Sequence, residues 1–167
     1  MNRKSLVGLA AVALAFTLSP SDGLAASASA SLTVSASVAN NCTISTSALN
    51  FGSYDPIGVH ASSNLDGTGS VTITCTKGAV TTVGLDLGGN ASGSTRRMAA
   101  GPEMLTYELY KEVSRVSVWG NSGADLLDTG TAPSRAPRSF TVYGRVPSGQ
   151  DVSAGSYSDT VTATVNF

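Results

Sequence analysis

Charge is scarce in this sequence. Asp, Glu, Lys and Arg make up 13% of its 167 residues, and the formal net charge is −1. Without a basic excess there is no electrostatic footprint for nucleic acid or anionic lipid. Aromatic residues are few, at 6%, and histidine occurs once. A lone His60 and the absence of a CxxC spacing argue against a metal constellation or a thiol redox motif, so no metal or other cofactor is expected. No serine sits in a G-x-S-x-G elbow. No apolar run reaches the roughly 20 residues of a transmembrane helix. A convincing helical period is also missing beyond the first 18 residues.

What is present begins with an export pattern. Arg3 and Lys4 form a basic start, and Leu6 to Leu18 is an apolar run of signal-peptide length. Pro20 and Gly23 then break it ahead of small residues, with Gly23 and Ala25 or Ala26 and Ala28 at the recognition positions. Residues 1–25 are therefore expected to be a cleaved export signal, with no cysteine beside it to carry a lipid anchor. The mature chain would pass through an oxidising compartment and insert in no membrane. It is long enough for one domain with a real core.

The stretch ASASASLTVSASV, residues 26–38, alternates small or apolar residues with hydroxyl residues along its whole length. Leu32, Val34, Ala36 and Val38 fall on one side, and Ser31, Thr33, Ser35 and Ser37 on the other. A period of two predicts a strand with one apolar face. At roughly 3.3 Å per residue it would run about 43 Å, well beyond an ordinary strand of five or six residues.

The same period recurs down the chain. It aligns Val71, Ile73 and Cys75; then Val83, Leu85 and Leu87; then Leu105, Tyr107 and Leu109. VSVWG at 116–120 follows, then Phe140, Val142 and Val146, and last Tyr157, Val161, Ala163, Val165 and Phe167. Turn signals separate these runs at Asp55-Pro56, Asp66-Gly67, Gly88-Gly89-Asn90, Gly101-Pro102, Gly120-Asn121 and Pro147-Ser148-Gly149. The pattern predicts an all-β, immunoglobulin-like antiparallel β-sandwich.

Cys42 and Cys75 are expected to form a disulfide in the exported chain and to tie the first core strand to the next. A loop of this size predicts about 3–4 kcal/mol of stabilisation. The last strand is expected to reach Phe167, the final residue of the sequence, and to leave its edge uncovered. An uncovered apolar edge is an aggregation hazard. A surplus strand at one end and an open edge at the other predict that the first covers the second in a neighbouring molecule.

With those pieces in place the chain resembles the spore coat protein U domain family, which includes subunits of archaic (Csu-type) chaperone–usher pili. The resemblance rests on the alternating N-terminal segment leading into CTIS, LNFGSYDP at 49–56, and GSVTITCTKG at 69–78. It continues with Arg97-Met98 ahead of LTYELYKE, VSVWG, FTVYGRVPSGQ at 140–150, and the ending AGSYSDTVTATVNF. It covers essentially all of residues 26–167. It implies an incomplete immunoglobulin-like sandwich, residues 39–167, completed by a donor strand. A periplasmic chaperone would lend a strand first. At an outer-membrane usher, residues 26–38 of another subunit would replace it, through Leu32, Val34, Ala36 and Val38. The accepting edge would carry Tyr157, Val161, Ala163, Val165 and Phe167. The implied role is a surface pilus in adhesion and biofilm formation, or a spore or cell coat, and not an enzyme.

Rival readings are weaker. LLDTGTA at 126–132 resembles an aspartic protease loop, but Asp128 is a single copy, Asp125 breaks the apolar lead-in, and a polar loop between strands is expected instead. His60 is expected to be an exposed loop residue, and Arg96-Arg97 solvated loop charge. Trp119, Tyr107, Tyr110 and Tyr143 could form a sugar-binding platform in an envelope carbohydrate-binding or hydrolytic domain. Their strand placement favours core and sheet-face positions.

Overall fold

The computed structural model describes residues 25–167, so the expected export signal lies outside the described residues but for Ala25. The chain divides into two units, Met1–Ala36 and Ser37–Phe167. In the first, residues 25–36 form no strand and are exposed. The expected strand over 26–38 is therefore not formed within the chain. Alternation supplies a strand's faces, but a ladder also needs a partner. Leu32 and Val34 are 88% and 84% exposed.

The second unit is all-β. Its strands are β1 (Cys42–Ser47), β2 (Leu65–Cys75), β3 (Val80–Leu85), β4 (Arg96–Ala100), β5 (Glu103–Tyr110), β6 (Leu127–Thr131), β7 (Arg138–Val146) and β8 (Ala163–Asn166). Single 3-10 turns at Val59–Ala61 and Gly123–Asp125 are the only helical pieces among the described residues. The strands form two sheets, ordered β1-β2-β7-β5-β4 and β6-β3-β8, and every pair is antiparallel.

The period of two explains the core. Val71, Ile73 and Cys75 of β2, Val142 and Val146 of β7, and Leu105, Tyr107 and Leu109 of β5 are all buried on one face of the larger sheet. Val83 and Leu85 of β3 and the fully buried Trp119 join them in one cluster. Full burial of each large side chain contributes about 1.5–3 kcal/mol. The Trp119 indole N–H donates to the Val83 carbonyl at 2.9 Å, so its one polar atom is satisfied.

Cys42 and Cys75 are bonded and stand directly opposite each other on β1 and β2. The bridge thus lies within one sheet, between an edge strand and its neighbour, unlike the inter-sheet bridge of antibody domains. Asn41 extends the pairing, accepting from the Thr76 N–H at 2.9 Å.

Several local expectations are corrected. Asp66-Gly67 is not a turn but part of β2, where Asp66 faces Arg145 of β7. The Arg145 guanidinium donates to both Asp66 oxygens, at 2.7 and 2.9 Å, and this ion pair keeps the segment extended. Residues 116–120 are not a strand. They make one bridge, Val118 to Tyr110, and Val116 is 79% exposed. The Glu112 carboxylate instead accepts from the N–H groups of Val116 and Ser117 and curls the chain into a loop. LDTGT is a strand, β6, rather than a loop; a bulge against β3 at Thr81/Thr82 accommodates Gly130 at φ +66.

Arg96 is the largest departure. It is not solvated loop charge but fully buried, at the start of β4. Its guanidinium is ion-paired with Glu108 and donates to the carbonyls of Leu85, Asp86 and Trp119 at 2.7–2.9 Å. A buried charge is tolerated only when paired and hydrogen-bonded, and this one is both. Its neighbour Arg97 is half-buried and donates to the Asn90 carbonyl at 3.0 Å.

Candidate functional site

The sandwich is not closed all round. The inward residues of the last segment, Tyr157, Asp159, Val161, Ala163 and Val165, are only half-buried, while their even-numbered neighbours are exposed. Across from them, Leu49, Phe51 and Tyr54 are half-buried as well. Between these two walls runs a groove of about 1140 Å³. Its floor is the inner face of the larger sheet, including Val71, Leu105, Leu109 and Val142.

Glycine shapes one wall. Gly67 and Gly144 are paired across β2 and β7. A Cβ on Gly144 would sit 2.7 Å from the Phe51 ring and 2.8 Å from a Leu49 methyl, and one on Gly67 would sit 3.0 Å from the Phe51 ring. Leu49 and Phe51 thus lie directly on sheet backbone and fill the volume those glycines leave. The segment is braced by Tyr54, whose hydroxyl donates to the Pro147 carbonyl at 3.0 Å and accepts from the Gln150 N–H at 2.9 Å.

The other wall offers an unpaired edge. Among the described residues β8 is hydrogen-bonded to β3 alone. Before it, the carbonyls of Ser158, Thr160 and Thr162 accept from the N–H groups of Ala99, Gly89 and Asp86. Alternate residues of an extended chain point their peptide groups to opposite edges. Those of Asp159 and Val161 therefore face the groove, and they make no hydrogen bond among the described residues. Such groups form a template for another strand.

Side chains lock this wall in place. The Asp159 carboxylate accepts from the Tyr107 hydroxyl at 2.7 Å and from the Asn90 N–H and side-chain amide at 3.1 and 2.9 Å. Burial, reinforced by Asp159, pushes the Tyr107 hydroxyl far up, so it remains a donor. Burial raises the Asp86 carboxyl, but hydrogen bonds from the Thr162 and Gly88 N–H groups outweigh it, and the net direction is down.

The residues expected to accept a strand are thus placed as follows. Ala163 and Val165 lie in β8, Tyr157 and Val161 precede it along the same wall, and Phe167 follows it, 54% exposed. Among the expected donor residues, Leu32, Val34, Ala36 and Val38 are all exposed, Val38 at 86%. Leu49, Phe51 and Asp159 carried no assignment from sequence. The alternation of Leu49-Asn50-Phe51, with Gly67 in β2 and Gly144 in β7, was the available signal for the first wall.

The rival constellations dissolve. His60 is buried, not exposed: its ring stacks on Tyr54 at 5.1 Å, and Nδ1 accepts the Asp55 N–H at 2.8 Å. The Asp128 carboxylate accepts the Gly130 N–H at 2.8 Å and braces the bulged strand β6 locally. Trp119 and Tyr107 are core residues, which breaks up the aromatic platform. Among the described residues no three His, Cys, Asp or Glu side chains cluster as a metal site would need.

A sequence model of the Spore Coat Protein U domain matches residues 28–164. The chain belongs to that family. Protein U of Myxococcus xanthus, a relative of this Spore Coat Protein U domain, is 40% identical over 180 aligned positions, covering 99% of this chain and 98% of Protein U. Among solved structures, the domain is similar to a chain of the CsuC–CsuE chaperone–tip adhesion subunit pre-assembly complex, from the archaic chaperone–usher Csu pili of Acinetobacter baumannii. The TM-score is 0.58 at 26% identity, over 78% of this chain and 40% of that one. The Spore Coat Protein U domain described here therefore has the fold of a chaperone–usher pilus subunit and spans under half the length of the matched chain.

Proposed function

We propose that the protein is an exported structural subunit that polymerises by strand addition, with residues 26–38 of one copy filling the groove of the next. The observation that carries this reading is the pairing of defects in one chain. A groove wall presents the unpaired peptide groups of Asp159 and Val161, and an alternating segment lies exposed without a strand partner. Each supplies what the other lacks. Leu32, Val34 and Val38 would each contribute about 1.5–3 kcal/mol when buried, and each ladder bond about 0.5–1.5 kcal/mol. On this reading residues 1–25 are the export signal, 26–38 the donor strand and 39–167 the accepting sandwich.

A periplasmic chaperone and an outer-membrane usher are the partners during export. The family and the Csu similarity support that route. The product is a surface pilus serving adhesion and biofilm formation. A spore or cell coat built from the same joint is the second reading, and the family's description favours it.

Deleting residues 26–38 tests the joint. The shortened chain should still accept a strand but not donate one, so it should form no SDS-resistant multimers. Leu32→Asp and Val34→Asp should mimic the deletion, because each drives a charge into an apolar groove, whereas Ser31→Asp and Thr33→Asp should be mild. Peptide 26–38 should raise the melting temperature of the shortened chain by ligand linkage. Multimers that persist in the deletion, or a peptide without effect, would sink the reading.

A further inference from the structure

We propose that Asp159 sets the register of the incoming strand, so that Leu32 of one copy lies opposite Ala163 of the next and Ala36 opposite Asp159. The proposal deepens the strand-addition reading and depends on it. Every strand pair among the described residues is antiparallel, and an added strand is taken in the same sense. Its inward side chains are the even-numbered Ala30, Leu32, Val34, Ala36 and Val38, while those of the accepting wall are odd-numbered. Allowed registers therefore differ in steps of two residues.

Within the inward row of that wall stands a carboxylate. Asp159 cannot turn outward without abandoning the Tyr107 hydroxyl and Asn90, and its Oδ2 is packed so close to Gly88 that a Cβ there would lie 1.9 Å away. A bulky apolar residue opposite it would strip water from the carboxylate and return no hydrogen bond. An alanine leaves that space open. Ala163 is the smallest residue of the row, and Leu32 is the largest inward residue of the donor. Matching large to small across facing positions fills the core without a void.

One register meets both conditions. Setting Leu32 opposite Ala163 brings Val34 to Val161, Ala36 to Asp159 and Val38 to Tyr157. A shift of two in either direction puts Val34 or Val38 on Asp159 and moves Leu32 onto Val161 or Val165. The alanine in the donor is thus a fitting element, and Asp159 acts as a polar pin that penalises slipped joints. A single buried polar residue fixes coiled-coil register by the same physics.

Cysteine cross-linking between full-length chains tests this. Chains carrying Leu32→Cys are mixed with chains carrying Val161→Cys, Ala163→Cys or Val165→Cys, oxidised, and run on non-reducing SDS gels. Directly opposite Cβ atoms lie about 4.5–5.5 Å apart and diagonal ones about 7–8 Å, whereas a disulfide needs about 3.5–4.5 Å. The Ala163→Cys partner should cross-link several-fold more than either neighbour. Adding Asp159→Ala should spread the cross-links over all three positions. Ala36→Leu, at a site exposed in the free chain, provides an arm that does not disturb folding, and it should lower the Leu32–Ala163 cross-link on the order of tenfold. Dominant cross-linking to Val161→Cys or Val165→Cys, an even spread with Asp159 intact, or indifference to Ala36→Leu overturns the register and leaves strand addition standing. No cross-link at any of the three positions also overturns the register, while strand addition stands or falls separately on whether SDS-resistant multimers survive deletion of residues 26–38.

Discussion

Replacing Arg96 by methionine should be among the most damaging single changes in the sandwich. The side chain is fully buried, and its fork serves the Glu108 carboxylate and the carbonyls of Leu85, Asp86 and Trp119. Those carbonyls belong to β3, the residue after it, and the segment that carries the core tryptophan. One guanidinium thus ties β4 and β5 to the opposite sheet. Methionine fills most of the volume but leaves these acceptors facing no donor. Charged hydrogen bonds contribute about 1.5–3 kcal/mol each, and breaking a buried ion pair costs about 3–5 kcal/mol. These figures overlap and do not add, so a loss of about 4 kcal/mol is expected, a large share of the 5–15 kcal/mol typical of a domain. With a urea slope of about 2 kcal/mol per M, the midpoint should fall by about 2 M. Glu108→Gln should cost less, because that carboxylate is 25% exposed and water can replace part of the partner. The comparison is made by urea unfolding at one low protein concentration, since assembly would stabilise the native chain by mass action. A shift below about 0.3 M for Arg96→Met would refute the claim that this arginine organises the core.

Other consequences are also measurable. The Arg145 hydrogen bond holds the Asp66 carboxyl below the usual range, against burial and with help from Arg115. A depressed folded pKa stabilises above the unfolded value of about 3.9 and ceases to do so as pH falls through the folded value. Asp66→Asn should therefore cost up to about 1 kcal/mol at neutral pH and nothing in strong acid; a larger gap in acid would contradict the ion pair's role. Gly144→Ala should destabilise by about 1–3 kcal/mol, because the new methyl meets Phe51 and Leu49, and a thermal melt no lower than wild type would count against the glycine-floored wall. Thiol titration of denatured, unreduced protein should find no free cysteine; reduction should cost about 3–4 kcal/mol, as expected when a loop of this size is released. Asp128→Asn should leave assembly intact, and a peptidase activity lost in that variant would overturn the structural reading.

Much of the architecture is written locally. The period of two in Val71-Ile73-Cys75, Leu105-Tyr107-Leu109 and Phe140-Val142-Val146 determines which side of each strand is buried, because a pleated strand has no other way to hide three apolar side chains. The cysteine pair was legible for the same reason, since both members fall on inward faces of adjoining strands. Likewise, the alternation of 26–38 gives the segment one apolar face, although it pairs with no strand among the described residues. Tertiary structure decided what depends on distant groups. Arg96 looks like surface charge until Glu108 and three carbonyls from two separate segments converge on it. Asp66-Gly67 spells a turn, but Arg145 across the ladder and the bulk of Phe51 above it hold it straight. His60 carries no local sign of burial, and only the fold brings its ring onto Tyr54 and its carbonyl to Gly149. The groove belongs partly to this second class: the edge at 157–167 was legible from its alternation, but the facing wall of Leu49 and Phe51 appears only once the fold lays them on Gly67 and Gly144.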